Sequence, residues 1–253
     1  MQVLYEEEDE DWGKLMVYET AQLDGEPGRY RVLAFSDGAA QGVLDLDDPE
    51  RIVFEYPRAI LHLMDTYLPD YSEAYVIGLG IGTIPSRLQD KRVKVAEIDP
   101  RVKEVSRRYF GYSTTNIEVG DGRNMLEKEP NLAYDYVVLD AFTEKDTPLH
   151  LLSEPFFMLC RDKLNERGAL IMNLFGRGSS DNLIRAVHTT LESVFSYTCC
   201  FELPQTGAAD KRNILLMGAQ QPIRYREKEM AGFVAFKPEE GYIIQDRMDE
   251  YRL

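Results

Sequence analysis

From Ala74 onward the chain repeats one pattern, a short and nearly continuous apolar run followed by a segment of helical spacing. The runs are AYVIGL, VKVAEI, NIEVG, YDYVVLDAF and GALIMNLF. A strand that is apolar on both faces has no side to offer water, so these runs belong to a parallel sheet covered by helices. Helices are expected to begin near Thr83, Pro100, Arg123, Ser153 and Ser180. Asp99 before Pro100 supplies a capping carboxylate and a first helical residue with preset φ. Two later runs, YTCCFEL and RNILLMG, lie close enough to pair as an antiparallel hairpin at the sheet edge. The expectation is an α/β chain with a doubly wound, mostly parallel, seven-stranded sheet.

The segment ahead of that pattern reads differently. LMVYET, RYRVLAF and GVLDL are separated by the turn-forming stretches DGEPG and SDG, which predicts a small antiparallel β domain over residues 1–55. Ala59, Ile60, Leu63, Met64 and Tyr67 recur at helical spacing between Pro57 and Pro69, giving a linking helix. The main domain is expected over 56–220, and a charged, mostly solvated segment over 221–253.

Composition narrows the partners. Asp and Glu number 44 against 29 Lys and Arg, and a net charge of −15 repels phosphate backbones and anionic lipid, so no nucleic-acid or membrane partner is expected. The same field gently attracts cationic amines. The N-terminus is acidic where a signal peptide is basic, and no apolar stretch nears the roughly 20 residues of a membrane span. Cys160, Cys199 and Cys200 lack metal-ligand spacing and read as reduced packing residues, which favours the cytoplasm; no metal is expected.

The first run of the sheet leads into GLGIGT, with glycines at 78, 80 and 82. Glycines allow a tight turn and close backbone approach to a ligand, although a turn built only for packing has the same composition. A dinucleotide fingerprint places its third glycine where this chain has Thr83, whereas glycine at 82 gives the GxGxG spacing usual for S-adenosylmethionine. Glu97 ends the second run, placed to accept both ribose hydroxyls, with a solvated carboxylate as the plain alternative. Asp121, after the third run, is placed to accept an adenine amino group and equally to cap the helix that follows. A doubly wound sheet closed by a hairpin resembles the methyltransferase type.

In the pieces QGVLDLDDPERIVFEYPR, VIGLGIGTIP, VAEIDPRV, VGDGRNML, YDYVVLDAF and IIQDRMDEYRL, in this order and spacing, the chain resembles the spermidine synthase family. The resemblance implies a transferase using decarboxylated S-adenosylmethionine or a related sulfonium nucleoside as co-substrate, with no permanently bound cofactor. It implies a small-molecule amine acceptor and a homodimer or larger homo-oligomer. It places the nucleoside on Gly78, Gly80, Gly82, Glu97, Asp121, Gly122 and Gln41, and the reaction at Asp140 as the group that holds and deprotonates the attacking amine.

Three positions depart from the family pattern. The acid usual in the glycine loop is Ile81, the second aspartate of the DSSD-like motif is Thr143, and the aromatic hydroxyl before the linking helix falls on Phe54. An acid at 81 would repel the α-carboxylate of intact S-adenosylmethionine and Ile81 does not, so methyl transfer is the alternative chemistry. A non-catalytic nucleoside-binding homologue is a further alternative. Glu144 and Asp146 read as solvated loop charges or replacement contacts to an amine; His150 and His188 read as structural or surface residues.

Overall fold

The computed structural model describes residues 1–35, 38, 40–142, 147–204 and 211–246. Four strands, β1 (Gln2–Asp9), β2 (Gly13–Leu23), β3 (Glu26–Phe35) and β4 (Ala40–Asp45), form an antiparallel sheet in that order. Leu15, Val17 and Leu33 face the main core, while Tyr30, Val32 and Val43 pack a small cluster on the opposite face. Strand β1 has no counterpart among the expected runs. Its Glu6–Glu8 acids suppress any apolar alternation, but an edge strand needs only its backbone to pair, and Glu6 meets Lys14 of β2 at 3.0 Å.

Helix α1 (Glu55–Tyr67) buries Ala59, Ile60, Leu63 and Met64 and leads into the second sheet. There β5 (Glu73–Ile77), α2 (Thr83–Ser86), β6 (Arg92–Glu97), α3 (Pro100–Phe110), β7 (Ile117–Val119), α4 (Gly122–Glu127), β8 (Tyr134–Leu139), α5 (Glu154–Lys163) and β9 (Leu164–Gly176) alternate as the sequence pattern requires. Helix α6 (Asn182–Val194) and the antiparallel strands β10 (Tyr197–Glu202) and β11 (Arg212–Ala219) follow. Alternate residues of the central strands face two cores. Val76, Val95, Tyr136 and Ile171 point to one cluster, and Tyr75, Ile77, Val137 and Met172 to the other.

The sheet has eight described strands, not seven, in the order β12-β10-β11-β9-β8-β5-β6-β7. The added β12 (Val234–Phe236) covers the edge the hairpin would otherwise expose, pairing with Cys200–Glu202. It is three residues long within charged surroundings, too short for a period to register. The segment after 220 is therefore less solvated than its charge implies: Met230, Phe233 and Ile244 are buried. No described helix is long and apolar enough to cross a membrane.

Candidate active site

The chain runs from β5 outward to β6 and β7, then returns across β5 to place β8 on its other side. Loops leaving the carboxyl ends of β5 and β8 diverge at this reversal and open a crevice. A cavity of about 710 Å³ fills it, walled by those strand ends and, opposite them, by Gln41 and Gly42 of β4 and the start of α1.

The three loop glycines do different jobs. All have positive φ, +95° at Gly78, +53° at Gly80 and +84° at Gly82. A Cβ on Gly78 would lie 2.1 Å from the carbonyl oxygen of Asp140, and one on Gly82 would lie 2.3 Å from the Tyr112 ring. These two are required by protein packing. A Cβ on Gly80 would meet nothing within 4 Å, and Gly80 lines the cavity, so only here is the open face turned to a ligand-sized space. Gly122 belongs with the packing pair, since its Cβ would lie 2.5 Å from the Ile77 side chain.

Glu97, the last residue of β6, is 7 % exposed. Its two oxygens accept from the backbone N–H groups of Leu79 and Asp99, each at 2.9 Å, which ties the glycine loop to the end of β6. Burial lifts its carboxyl to about 7 against the opposing pull of those amides. Asp121 caps α4, Oδ1 accepting from the Asn124 N–H at 2.8 Å. Its Oδ2 lies 2.8 Å from Nε2 of His150. Burial pushes the Asp121 carboxyl upward, but His150 and the amide outweigh it and hold it below the usual range, so Nε2 donates to a carboxylate. His150 is thus a cavity residue with a partner, against the expectation of a structural or surface role. Sequence spacing could not join it to Asp121, 29 residues away, with His150 itself in a 3₁₀ turn. His188 is 5 % exposed and packed by Thr198 and Glu192, as expected of a structural histidine.

Asp140 follows β8, its backbone N–H donating to the Ile77 carbonyl at 2.9 Å. Asn173, fully buried on β9, donates from Nδ2 to Asp140 Oδ1 at 2.9 Å, and its own Oδ1 accepts from Asn213 of β11 at 2.9 Å. Tyr56, on the first turn of α1, faces the same carboxyl, and its hydroxyl favours the ionised form. Burial raises the Asp140 carboxyl to about 6 even though Asn173 and Tyr56 lower it. Tyr56 corrects the expectation built on Phe54. The hydroxyl comes from the residue two positions further, because Phe54 is the extended residue preceding α1 and Tyr56 belongs to its first turn. Asn173 and Asn213 were also missed, and their signal was present: each is a lone amide within an apolar run, GALIMNLF and RNILLMG.

Comparison with known proteins gives this arrangement a family. Residues 53–208 match the model of the spermine/spermidine synthase domain. The chain belongs to the spermine/spermidine synthase family. It is 30 % identical over 219 residues to a polyamine aminopropyltransferase of Vibrio vulnificus, covering 81 % of this chain and 71 % of that one. An N-terminal histidine N-methyltransferase of Emericella nidulans is 27 % identical over 186 residues, covering 68 % of this chain but only 33 % of its own length. In fold the chain is similar to a probable spermidine synthase from Corynebacterium glutamicum, with TM-score 0.79, 16 % identity, and coverage of 100 % and 98 %.

Within this family frame the departure at Ile81 has a packing partner. A Cβ on Gly42 would lie 2.6 Å from Ile81 Cγ2, so the isoleucine presses onto β4 at a position kept bare for it, on the cavity wall. Gln41, beside it, also lines the cavity. Thr143, Glu144 and Asp146 lie outside the described residues.

Proposed function

We propose that this family member transfers an aminopropyl group from decarboxylated S-adenosylmethionine to an amine, with Asp140 as the residue that receives the amine. In this reading the amine nitrogen attacks the propyl carbon bonded to sulfur. The carbon–sulfur bond breaks, its electron pair returns to the sulfonium, and neutral 5′-methylthioadenosine leaves. No acid is needed for that leaving group. The amine, however, is a cation below its pKa of roughly 10 and must lose a proton to attack. Asp140 suits the task because Asn173 aims its carboxylate while burial raises it to about 6, closer to the ammonium whose proton it accepts.

Glu97 holds the ribose hydroxyls in this reading and Asp121 the adenine amino group. Gly80 admits the nucleoside, with Gln41 and Gly122 beside it. A cytoplasmic homodimer or larger homo-oligomer accompanies it, which light scattering on the purified chain checks.

The observation that carries the reading is Asp140, directed by the Asn173 amide of β9 and faced by Tyr56 of α1, set against the glycine loop at the sheet's reversal. Labelled decarboxylated S-adenosylmethionine offered with a panel of mono-, di- and polyamines should give an aminopropylated product and 5′-methylthioadenosine. Methyl transfer from intact S-adenosylmethionine, with no product from the decarboxylated donor, would overturn it.

A further inference from the structure

Arg123 follows Gly122 on α4 and is 6 % exposed, yet its side chain holds three separate parts of the chain together. Nη1 and Nη2 donate to the two oxygens of Asp246 at 2.8 and 2.7 Å, a bidentate charged pair. Nη1 also donates to the carbonyl oxygen of His150 at 2.8 Å. Ser153 supports the same carboxylate, its hydroxyl donating to Asp246 Oδ1 at 2.5 Å.

Asp246 arrives at the end of a well-anchored strap, residues 240–246, laid over α5 and α6. Arg185 donates to the Glu240 carbonyl at 2.8 Å, Gly241 N–H to the Thr189 hydroxyl at 2.8 Å, and Ile244 N–H to the Thr190 hydroxyl at 2.9 Å. Glu154 N–H donates back to the Ile244 carbonyl at 2.8 Å, and the Ile244 side chain is buried in the core. A Cβ on Gly241 would lie 2.5 Å from backbone atoms of Arg185 and Ala186, so the strap touches α6 directly.

The guanidinium therefore reaches the Asp121–His150 pair through its His150 member. Asp121 is two residues before it, and His150 is gripped through its own carbonyl, while the imidazole reaches Asp121 at 2.8 Å. Asp246 supplies the facing charge that keeps Arg123 in place, and a largely buried cation that loses its counter-ion re-orients or draws in water.

We infer that Asp246 is a positioning residue for the nucleoside, acting through Arg123 and His150 on Asp121; this rests on the reading that Asp121 contacts the adenine. The strap thereby joins the far side of α5 and α6 to donor affinity and leaves the amine end alone.

The test uses the full chain, with calorimetric Kd for 5′-methylthioadenosine and steady-state constants for donor and amine. Asp246→Asn should raise the nucleoside Kd and donor KM about ten-fold, the loss expected of a broken buried charged contact, with kcat and the amine KM unchanged. Asp246→Glu should recover most of that loss. In a double-mutant cycle Asp246→Asn should add little to His150→Gln, because both act on one pair. Full additivity, or wild-type nucleoside binding by Asp246→Asn, overturns the inference.

Thr190→Ala slackens the strap without touching Arg123. If Asp246→Asn does not fold, this variant decides: a raised nucleoside Kd supports the inference and an unchanged one overturns it. Asp121→Asn separates the two readings. If it binds the nucleoside as wild type does, the assignment of Asp121 fails; if it weakens binding while Asp246→Asn does not, the strap alone fails.

Discussion

In the proposed reading the cavity has a nucleoside half and an amine half, and the two are built in opposite ways. The nucleoside half is made of short contiguous pieces, each directly after a strand: Gly78–Gly82 after β5, Glu97 ending β6, and Asp121 after β7. The amine half is assembled across the chain, with Asp140 after β8, Tyr56 from α1, Asn173 from β9 and Asn213 from β11. Local pieces place a carboxylate largely by backbone geometry: Glu97 and Asp121 each give one oxygen to an N–H within three residues, and only the second oxygen reaches further, to Leu79 and His150. Distant pieces place one only when the whole fold is formed. The first kind of site leans on remote residues at one point, the Asp246–Arg123–His150 brace behind Asp121, and the second is sensitive to packing at several.

The largest effect is expected where the halves touch. Gly78→Ala puts a methyl 2.1 Å from the Asp140 carbonyl at a φ of +95°, and should cost about 4 kcal/mol or more, visible as a collapsed denaturation midpoint. Both halves should fail together. A variant of near-native stability would show that the loop and the β8 end are not braced against each other.

Next comes Asn173→Leu, which removes the amide donor to Asp140 and strands the Asn213 amide. A loss of about 1–3 kcal/mol is expected from chemical denaturation. The acid limb of kcat/KM should also move upward. The sign follows from the charge: donors stabilise the carboxylate, so losing one raises its pKa above about 6, and the ionised form appears only at higher pH. Tyr56→Phe should shift that limb the same way by less, with a stability change of about 0.5–1.5 kcal/mol. Nucleoside Kd should not move in either variant, and if it does the halves are not separable.

Gly80 probes the other half. Gly80→Ala meets no atom and pays only for its left-handed φ, about 1–2 kcal/mol, while its methyl enters the cavity. Nucleoside Kd should rise with the pH limb unchanged, the reverse of the Tyr56 result.

The same contrast explains what could be read from the sequence. Apolar runs report burial on both faces, so the parallel sheet and its helices were legible, as were the Asp99 and Asp121 caps, which act within three residues. Strands β1 and β12 were not, because an acidic edge and a three-residue patch carry no period. In the site, Glu97 and Asp121 could be placed by their position after a strand. His150 could not, since its partner lies 29 residues back in the chain, and Phe54 stood in for Tyr56 because spacing alone does not say which ring of FEYP faces Asp140. The lone amides Asn173 and Asn213 were visible only as polar residues in apolar strands, and their common target emerges from the β9–β11 pairing.

The central claim is that the Asp140 carboxylate accepts the proton of the attacking amine. It is tested most directly by the pH profile of kcat/KM for aminopropyl transfer in the wild type and in Asp140→Asn. The wild type should rise with pH through about 6, as the carboxyl ionises. Asp140→Asn should lose that limb and run about 10²–10⁴-fold slower, with nucleoside Kd preserved. An Asp140→Asn enzyme that turns over at the wild-type rate and keeps the same limb would contradict the account.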